Sequence, residues 1–403
     1  MHKCKTLIKN AIALISEGYA GLNTDEKVLF YAIICAAVSY YTSALAILLI
    51  TFYAIHKRKK LFSNPIWIPM AIFNAIAYLT AVSSRFLIGT ILAVAVILPT
   101  SISILYIANN ISKEKLNIFL RTFVLLSIPT VLIALFEFAY HMLFIYPNLP
   151  PASQQVFRVS STFANPSIYA VYLMFYIFCS SALWINSKEK NKIFYLVTLI
   201  LNFIALILTG TRVIWAAVAA GLFIQFIMLK KYKLVYSMTI SCSMLLTLLA
   251  LDPELIPRFD FLEYHLNQRL HIWRSAILCI KEHPFWGQGM LSFMQLFQTG
   301  GGKIYSHAHN IFLTLWADFG LFGMAAFVTT VAIAVIKTIK LQYSKYNTEI
   351  AICLAYFSGI IIFGLSDNPF LNLGIGFIFA FNMAVPFMPE SNTELEQTMA
   401  AKA

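Results

Sequence analysis

The sequence predicts an all-α polytopic membrane protein with about 12 transmembrane helices. Of its 403 residues, 60% are hydrophobic and only 11% are charged, whereas soluble domains are about 25% charged. The hydrophobic residues also form stretches of roughly 20, the length that spans a bilayer as an α-helix. So few charges cannot cover the surface of a water-soluble fold. Disorder, a coiled coil and nucleic-acid binding are therefore excluded as the main role.

The apolar stretches define the individual helices. Ten of them fit one span each, at 66–83, 86–107, 118–141, 167–186, 193–210, 213–229, 234–251, 310–336, 349–366 and 369–388. The earlier stretch 28–55 is long enough for one tilted helix or for two short helices in a tight pair. Two helices there would bring the total to 12 and leave both chain termini on the same side of the membrane.

Lysine and arginine are concentrated in every second connection between the spans. The connections 56–60, 188–192, 230–233 and 337–345 carry three or four each, while the short alternate ones carry one or none. Because basic loops stay in the cytoplasm, this alternation predicts cytoplasmic termini and explains the net charge of +12 without a polyanionic partner. The six cysteines have no spacing typical of disulfides or zinc. No metal site and no cofactor are predicted.

These features divide the chain into five segments. They are a cytoplasmic N-terminal segment (1–27), an N-terminal transmembrane bundle of about nine helices (28–251), a large outer loop (252–309), C-terminal transmembrane helices (310–388) and a cytoplasmic tail (389–403). The outer loop contains five of the eight histidines. Within it, apolar residues recur at helical spacing over 267–280, which predicts an amphipathic helix.

Arginine on the outer side opposes the positive-inside tendency, so each outer arginine is a functional candidate. Arg212 ends the hairpin 209–212 (TGTR), where its planar guanidinium could bind a lipid-linked phosphate or diphosphate. Contact with ordinary phospholipid headgroups is an equal alternative. Arg269 and Arg274 belong to the amphipathic helix. They suit anchoring at the membrane interface or, alternatively, a second contact with phosphate or sugar.

His309 is the strongest candidate for a catalytic group. Asn310 is a good cap for the helix that follows, so His309 lies at the positive end of that helix, which favours the neutral imidazole that a general base needs. Gly320 lies about three helical turns further on and shares the face of His309, with Gly323 close to that face. Small residues permit close helix packing, so this face is expected to point into the bundle. A structural, hydrogen-bonded histidine is the alternative.

Four further polar residues need an explanation. Glu137 and Asp318 lie within predicted spans, where acids are functional candidates, although an ion pair with an arginine is the simpler expectation for both. His307 and Arg158 lie on the outer side and are candidates for supporting roles. Arg158 belongs to the shorter outer loop, where sugar contact and helix capping are both open.

Several of these residues together resemble the motifs of bacterial O-antigen ligases, which join a lipid-carried surface polysaccharide to lipid A–core. The resemblance is carried by His309-Asn310 followed by Gly320 and Gly323, by Arg269…Trp273 with the block His283-Pro284…Gly287-Gln288-Gly289, and by the hairpin arginine Arg212. The segment 161–166, Ser-x-Phe-x-Asn-Pro, is similar to one that recurs in the wider ligase and polymerase superfamily.

The resemblance implies a membrane-embedded glycosyltransferase of the C type, in the bacterial inner membrane with its active site facing the periplasm. The donor would be O-antigen linked to undecaprenyl diphosphate, and the acceptor a sugar hydroxyl of lipid A–core. Arg212 and Arg269 would bind the diphosphate. His309 would deprotonate the acceptor hydroxyl, which attacks the anomeric carbon with inversion and without a metal ion. The expected supporting residues are Asn310, Arg158, Arg274 and His307.

Three other functions remain open. An O-antigen polymerase would use the same donor with a second lipid-linked repeat as acceptor, but its arginine followed sixteen residues later by glycine is not found among the outer arginines. A protein O-oligosaccharyltransferase would carry a larger C-terminal periplasmic part. A flippase or transporter would show internal repeats and polar sites at the membrane midplane, whereas the polar residues of this chain gather at one face.

Overall fold

The computed structural model describes residues 12–13, 15–84, 87–148, 157–252, 262–293 and 305–391. These ranges contain thirteen helices of at least 12 residues and no strand. In chain order they are α1 (Thr24–Val38), α2 (Tyr40–His56), α3 (Trp67–Ser83), α4 (Leu87–Asn110, with a π-helical turn at Ala93–Ile97), α5 (Leu116–Tyr140), α6 (Pro166–Asn186), α7 (Glu189–Leu208), α8 (Val213–Met228), α9 (Tyr232–Leu251), α10 (Leu262–Glu282), α11 (Ile311–Lys340), α12 (Asn347–Gly364) and α13 (Leu373–Ala384).

The described helices are those of a polytopic membrane protein. Seven are long and apolar enough to cross a bilayer, namely α4, α5, α6, α7, α9, α11 and α12. Four shorter apolar helices accompany them, namely α2, α3, α8 and α13. The all-α membrane fold is therefore confirmed for the described ranges. The total of 12 spans and the division into five segments stay predictions, and the tail beyond residue 391 lies outside those ranges.

The stretch 28–55 forms two helices rather than one. α1 ends at Val38 and α2 begins at Tyr40, with Ser39 extended between them (φ −155°). The Ser39 hydroxyl accepts a hydrogen bond from the Tyr41 N–H at 3.2 Å and donates one to the Thr162 carbonyl at 3.2 Å. A serine cap that also contacts a distant loop thus ends one apolar helix and starts the next.

Helices α6, α12 and α13 form the centre of the bundle. Most of their side chains are buried, including the large rings of Tyr172, Phe175, Tyr356 and Phe357. By contrast α9 has no buried residue, and its apolar side chains face outward as in a lipid-facing helix. The central helices are therefore held on all sides, and the polar residues at their ends occupy well-defined positions.

The predicted amphipathic helix is present as α10 and extends beyond 267–280 at both ends. Its inner face buries Ile272, Ala276 and Ile280, while Leu270 and Ile277 are exposed on its outer face. An exposed apolar face on a helix with charged neighbours suits the membrane interface. The inner face packs against α11, so α10 connects the outer surface of the protein to the helix that follows His309.

Candidate active site

A polar cavity of about 360 Å³ lies where α6 and α13 begin and α12 ends, beside the segment that leads into α11. Its lining residues come from four separate parts of the chain: Tyr40, Asn165, Ser167, Ile168, Val171, Ser306, His307, His309, Phe363, Asp367, Asn368, Pro369, Asn372 and Ile375. Two of the residues singled out in the sequence, His307 and His309, are among them. The cavity is large enough for part of a sugar or a phosphate group.

Two imidazoles converge on one carboxylate oxygen in this cavity. Nδ1 of His309 lies 3.2 Å and Nε2 of His307 lies 2.9 Å from Oδ1 of Asp367. An ionised carboxylate only accepts hydrogen bonds, so each of these nitrogens carries a proton. His307 is engaged on its other side as well, because its Nδ1 lies 2.9 Å from the Ser306 hydroxyl. Nε2 of His309 makes no hydrogen bond within the described residues, and it is free to accept a proton.

The charge state of Asp367 follows from these contacts. Burial raises the pKa of its carboxyl, but hydrogen bonds from His307 and His309 outweigh burial and hold that pKa well below the usual range. The Asn368 N–H also donates to the same oxygen at 2.8 Å. Asp367 is therefore a carboxylate at neutral pH. It fixes the His309 ring and stabilises the positive charge that the ring acquires when Nε2 takes a proton.

The backbone at His309 is strained. His309 has φ 47°, in the left-handed region that costs a residue other than glycine about 1–3 kcal/mol. Asn310 holds this conformation: its side-chain oxygen accepts from the N–H groups of Phe312 and Leu313, and its Nδ2 donates to the Leu365 carbonyl at 3.0 Å. The predicted cap is thus present, and it also ties the His309 turn to the segment that carries Asp367.

Arg269 lies on the inner face of α10, beside this cluster. Its guanidinium donates a hydrogen bond to the Ser366 hydroxyl, next to Asp367 in the chain. Burial lowers the pKa of Arg269, and the opposite charge of Asp367 raises it again. Arg274, five residues further along α10, is exposed on the outer side. The structure therefore brings Arg269 to the two histidines and leaves Arg274 at the surface.

The hairpin that carries Arg212 is braced by Arg158. The Arg158 guanidinium donates to the Thr209 carbonyl at 2.7 Å, to the Thr211 hydroxyl at 2.9 Å and to Ser167, a residue of the cavity wall, at 3.4 Å. Arg212 directly precedes α8 and is half-buried. Arg158 thus links the hairpin to the cavity. Neither Arg158 nor Arg212 is among the residues that line the cavity.

The two glycines of the His-Asn-Gly-Gly spacing have different roles, which corrects one expectation. Gly320 does not share a helical face with His309, because its φ of 67° and ψ of −176° break α11 at that point. The loop 284–289 fills the break. It does so with four backbone hydrogen bonds: Gln288 N–H to Ala317 O, Gly289 N–H to Asp318 O, Leu321 N–H to Pro284 O and Phe322 N–H to Phe285 O.

We call this contact between the loop 284–289 and the helix segment 317–322 the clasp. The close approach of the two backbones explains why each of them has a glycine there. A Cβ on Gly320 would collide with the Phe285 backbone, and one on Gly287 would collide with the Gly320 and Asp318 backbone. Such exchange of backbone partners is how a broken membrane helix satisfies its free N–H and C=O groups. Gly323 fits the original expectation, since Ile76 of α3 would lie 3.3 Å from its Cβ.

The two acids within the predicted spans form no ion pair in the described part of the chain, where each has other partners. The Glu137 carboxylate accepts hydrogen bonds from the N–H groups of Ser160 and Ser161, at 3.1 Å and 2.7 Å, and thereby shapes the loop before α6. Asp318 is 3% exposed and contacts the Leu291 backbone and the Ser292 side chain. Its Oδ1 has no partner within the described residues.

Asp367 is the residue that the sequence did not single out. It lies in a short connection between two apolar stretches, and an acid on the outer side opposite several histidines was its only signal. With His307 and His309 it also forms a set of three potential metal ligands, whose donor atoms all lie within 4.8 Å of one another. Two imidazoles and a carboxylate can bind a transition metal. The expectation that the protein has no metal site stays a prediction.

Comparison with known proteins agrees with the motifs. A protein of Haemophilus influenzae, described only as uncharacterized, is 24% identical over 236 residues, which cover 51% of this chain and 58% of that protein. The chain thus spans less than two thirds of that relative. Residues 197–328, about a third of the chain, match the family model described as O-antigen ligase. This segment includes the hairpin 209–212, α10, the clasp and His309. Over residues 197–328 the chain is therefore similar to the O-antigen ligase family.

Proposed function

We propose that the protein transfers O-antigen polysaccharide from undecaprenyl diphosphate to a sugar hydroxyl of lipid A–core, at the periplasmic face of the inner membrane. The observation that carries this proposal is the His309 imidazole, held by Asp367 at one nitrogen and open at the other, near the half-buried Arg269. A base with a cation close to it is what transfer from a diphosphate leaving group requires. The family match over residues 197–328 supports the reaction class.

In the proposed reaction, the acceptor oxygen attacks the anomeric carbon of the donor sugar as its proton passes to Nε2 of His309. The bond between that carbon and the diphosphate oxygen breaks, and the electron pair leaves on the diphosphate. Attack from the side opposite the leaving group inverts the anomeric centre. Arg269 and Arg212 neutralise the charge that develops on the leaving group, the role that a metal ion has in many other transferases.

The remaining site residues act by position. His307 has both ring nitrogens engaged, so it holds Asp367 in place rather than exchanging a proton with the substrate. Asn310 fixes the turn that presents His309. Arg158 braces the Arg212 hairpin against the wall of the cavity. Arg274 faces outward and is expected to contact lipid headgroups rather than the diphosphate.

The test is transfer by the purified full-length protein in nanodiscs, with undecaprenyl-diphosphate-linked O-antigen and lipid A–core as substrates. We expect polysaccharide to appear on lipid A–core, both with and without EDTA. Formation of longer lipid-linked chains instead would show a polymerase. Transfer that EDTA abolishes and a divalent metal restores would contradict the metal-independent mechanism. Absence of any glycan transfer would overturn the proposed function.

A further inference from the structure

Three asparagines line the cavity, and each caps a turn with its side-chain oxygen. Oδ1 of Asn165 accepts from the Ser167 N–H at 2.7 Å, Oδ1 of Asn368 from the Phe370 N–H at 3.2 Å, and Oδ1 of Asn372 from the Ile375 N–H at 2.9 Å. These bonds decide which side-chain atom is oxygen and which is nitrogen. We call these three residues the amide set. Their side-chain NH₂ groups take no part in the capping hydrogen bonds.

The NH₂ groups of the amide set donate no hydrogen bond within the described part of the chain. Asn372 is the decisive member, because it is only 4% exposed and its Nδ2 is a buried donor without a partner. Buried polar atoms in folded proteins nearly always have a partner, and an exception calls for a missing acceptor. Asn372 lines the cavity, so an oxygen of a molecule that enters the cavity can supply the missing acceptor.

The surroundings of the amide set favour a negatively charged oxygen. Asn165 and Asn372 lie at the N-termini of α6, with 21 residues, and α13, with 12 residues. The N-terminus of a helix carries partial positive charge and free N–H groups, which attract anions. The Arg158 guanidinium, bonded to Ser167 of the same α6 terminus, adds a full positive charge. A neutral sugar hydroxyl would gain little from these charges, whereas a phosphate oxygen would gain from all of them.

The other side chains of the cavity offer the complementary chemistry. His309 presents a free nitrogen acceptor, and Asp367 is a carboxylate whose Oδ1 already accepts hydrogen bonds from two histidines. One cavity therefore contains a proton acceptor for an attacking hydroxyl together with donors for an oxyanion. These are the two requirements of transfer from a phosphorylated donor, and they are supplied by different segments of the chain.

We propose that the amide set, with the N-termini of α6 and α13, binds the phosphate oxygens of the diphosphate leaving group. The proposal rests on the proposed function and deepens it, since it adds a subsite made of amide donors to the arginines Arg212 and Arg269. Asn372 donates from its buried Nδ2, and Asn165 and Asn368 donate from the more accessible side of the same cavity.

The chain permits a variant that removes the donor and keeps the cap. Asn372→Asp retains an Oδ1 that accepts from the Ile375 N–H, and aspartate is as good an N-cap as asparagine, but it replaces the NH₂ group with a second oxygen. Asn372→Ser is the neutral version, with a hydroxyl that also caps. Asn23→Asp is the matched control, because Asn23 caps α1 through its Oδ1 and is not among the residues that line the cavity.

The measurement is the Kd of undecaprenyl diphosphate for the full chain in nanodiscs, after each variant has been checked for an unchanged melting temperature. We expect Asn372→Asp to weaken binding by about tenfold or more, Asn372→Ser by about threefold, and Asn23→Asp by less than about twofold. Inorganic diphosphate should compete with the lipid for the wild type, and phosphatidylglycerol should not. Competition by phosphatidylglycerol would identify the subsite as one for ordinary headgroups and overturn the proposal.

Separate measurements of diphosphate binding and of glycan transfer distinguish a failure of the subsite from a failure of the proposed function. Unchanged binding in both folded Asn372 variants would overturn the subsite, even if the wild type transfers glycan normally. A second outcome is that the wild type binds the diphosphate but transfers no glycan, while Asn372→Asp and Asn372→Ser both lose binding. That outcome would support the subsite and overturn the ligase function. A wild type that does not bind undecaprenyl diphosphate would overturn the subsite directly.

Discussion

Asparagines occur at both ends of the helix bundle, but their amide groups are used differently. At the end where α4 finishes, Nδ2 of Asn109 donates to the Leu61 carbonyl at 3.0 Å, Nδ2 of Asn110 to the Lys60 carbonyl at 3.0 Å, and Nδ2 of Asn64 to Oδ1 of Asn109 at 2.9 Å. At the end where α6 and α13 begin, the NH₂ groups of Asn165, Asn368 and Asn372 have no such partners among the residues that the structure describes. The first group holds loops together, and the second surrounds a cavity.

The same contrast applies to the charged groups. Asp25 is paired with Lys59 at 2.7 Å and accepts from the Tyr106 hydroxyl at 3.0 Å, far from any histidine of the cavity. Asp367 instead collects two imidazoles, one of which keeps a free nitrogen. A polar cluster whose groups are all satisfied contributes stability, whereas one that keeps donors and acceptors unused is ready for a substrate. This difference separates the two ends more clearly than their composition does.

The largest effect is expected at Gly320, where the fold itself depends on the clasp. Gly320→Ala places a Cβ against the Phe285 backbone at a φ of 67°, and the strain alone costs about 1–3 kcal/mol. We expect little folded protein, measured by size-exclusion chromatography and melting temperature. Gly376→Ala is the matched control, because no atom lies nearer than 4.0 Å to its Cβ. Normal yields of both variants would show that the clasp does not need glycine.

Asp367→Asn tests whether the carboxylate serves the chemistry. The variant keeps the shape of the side chain but loses the charge that orients and stabilises the His309 ring. We expect transfer to fall by about 10²-fold or more, with little change in the Kd of the donor. Equal transfer by Asp367→Asn and wild type, measured at saturating donor, would remove Asp367 from the mechanism.

The difference in stability between the wild type and Asp367→Asn has a predicted pH dependence. The pKa of Asp367 is depressed in the folded protein, so its contribution is present above its unfolded value of about 3.9 and is lost as the pH falls through the lower, folded value. The difference in melting temperature between wild type and Asp367→Asn should therefore not become smaller between about pH 8 and pH 5. A difference that disappears in this range would contradict the His–Asp geometry.

A smaller effect is expected at Arg269. Lysine keeps the charge but cannot present a planar fork to a diphosphate while it contacts Ser366. Arg269→Lys should lower transfer by about tenfold. Arg274→Lys, on the exposed side of the same helix, should change transfer by less than about twofold. Similar losses in both variants would mean that α10 acts through its general charge, and the inner face of the helix would have no special role.

The opposite end of the bundle should affect stability alone. Asn109→Ala removes hydrogen bonds to two carbonyls, the part-buried Leu61 O and the buried Leu105 O, and should cost about 1–3 kcal/mol of unfolding free energy. The transfer rate per folded molecule should equal that of the wild type. A variant with normal stability and reduced turnover would erase the distinction between the two ends.

The membrane fold could be predicted from the sequence because it depends on local properties. Apolar stretches of spanning length and the Asn310 cap are properties of neighbouring residues, and both appear in the structure. The role of Gly320 could not be predicted, because helical periodicity assumes an unbroken helix and the hydrogen bonds that fill the break join residues 29 to 37 positions apart. Asp367 was missed for the same reason, since the contact that defines it joins residues 58 positions apart. The described partners of Glu137 are the N–H groups of Ser160 and Ser161, and such backbone partners cannot be recognised from residue types alone.

The most direct test of the central claim is His309→Ala, compared with His271→Ala on the exposed face of α10. Donor binding and glycan transfer are measured on the same nanodisc samples. We predict that His309→Ala binds undecaprenyl-diphosphate-linked O-antigen like the wild type and transfers it about 10²–10⁴-fold more slowly, while His271→Ala is normal in both. Transfer by His309→Ala within about tenfold of the wild-type rate would contradict the assignment of His309 as the base.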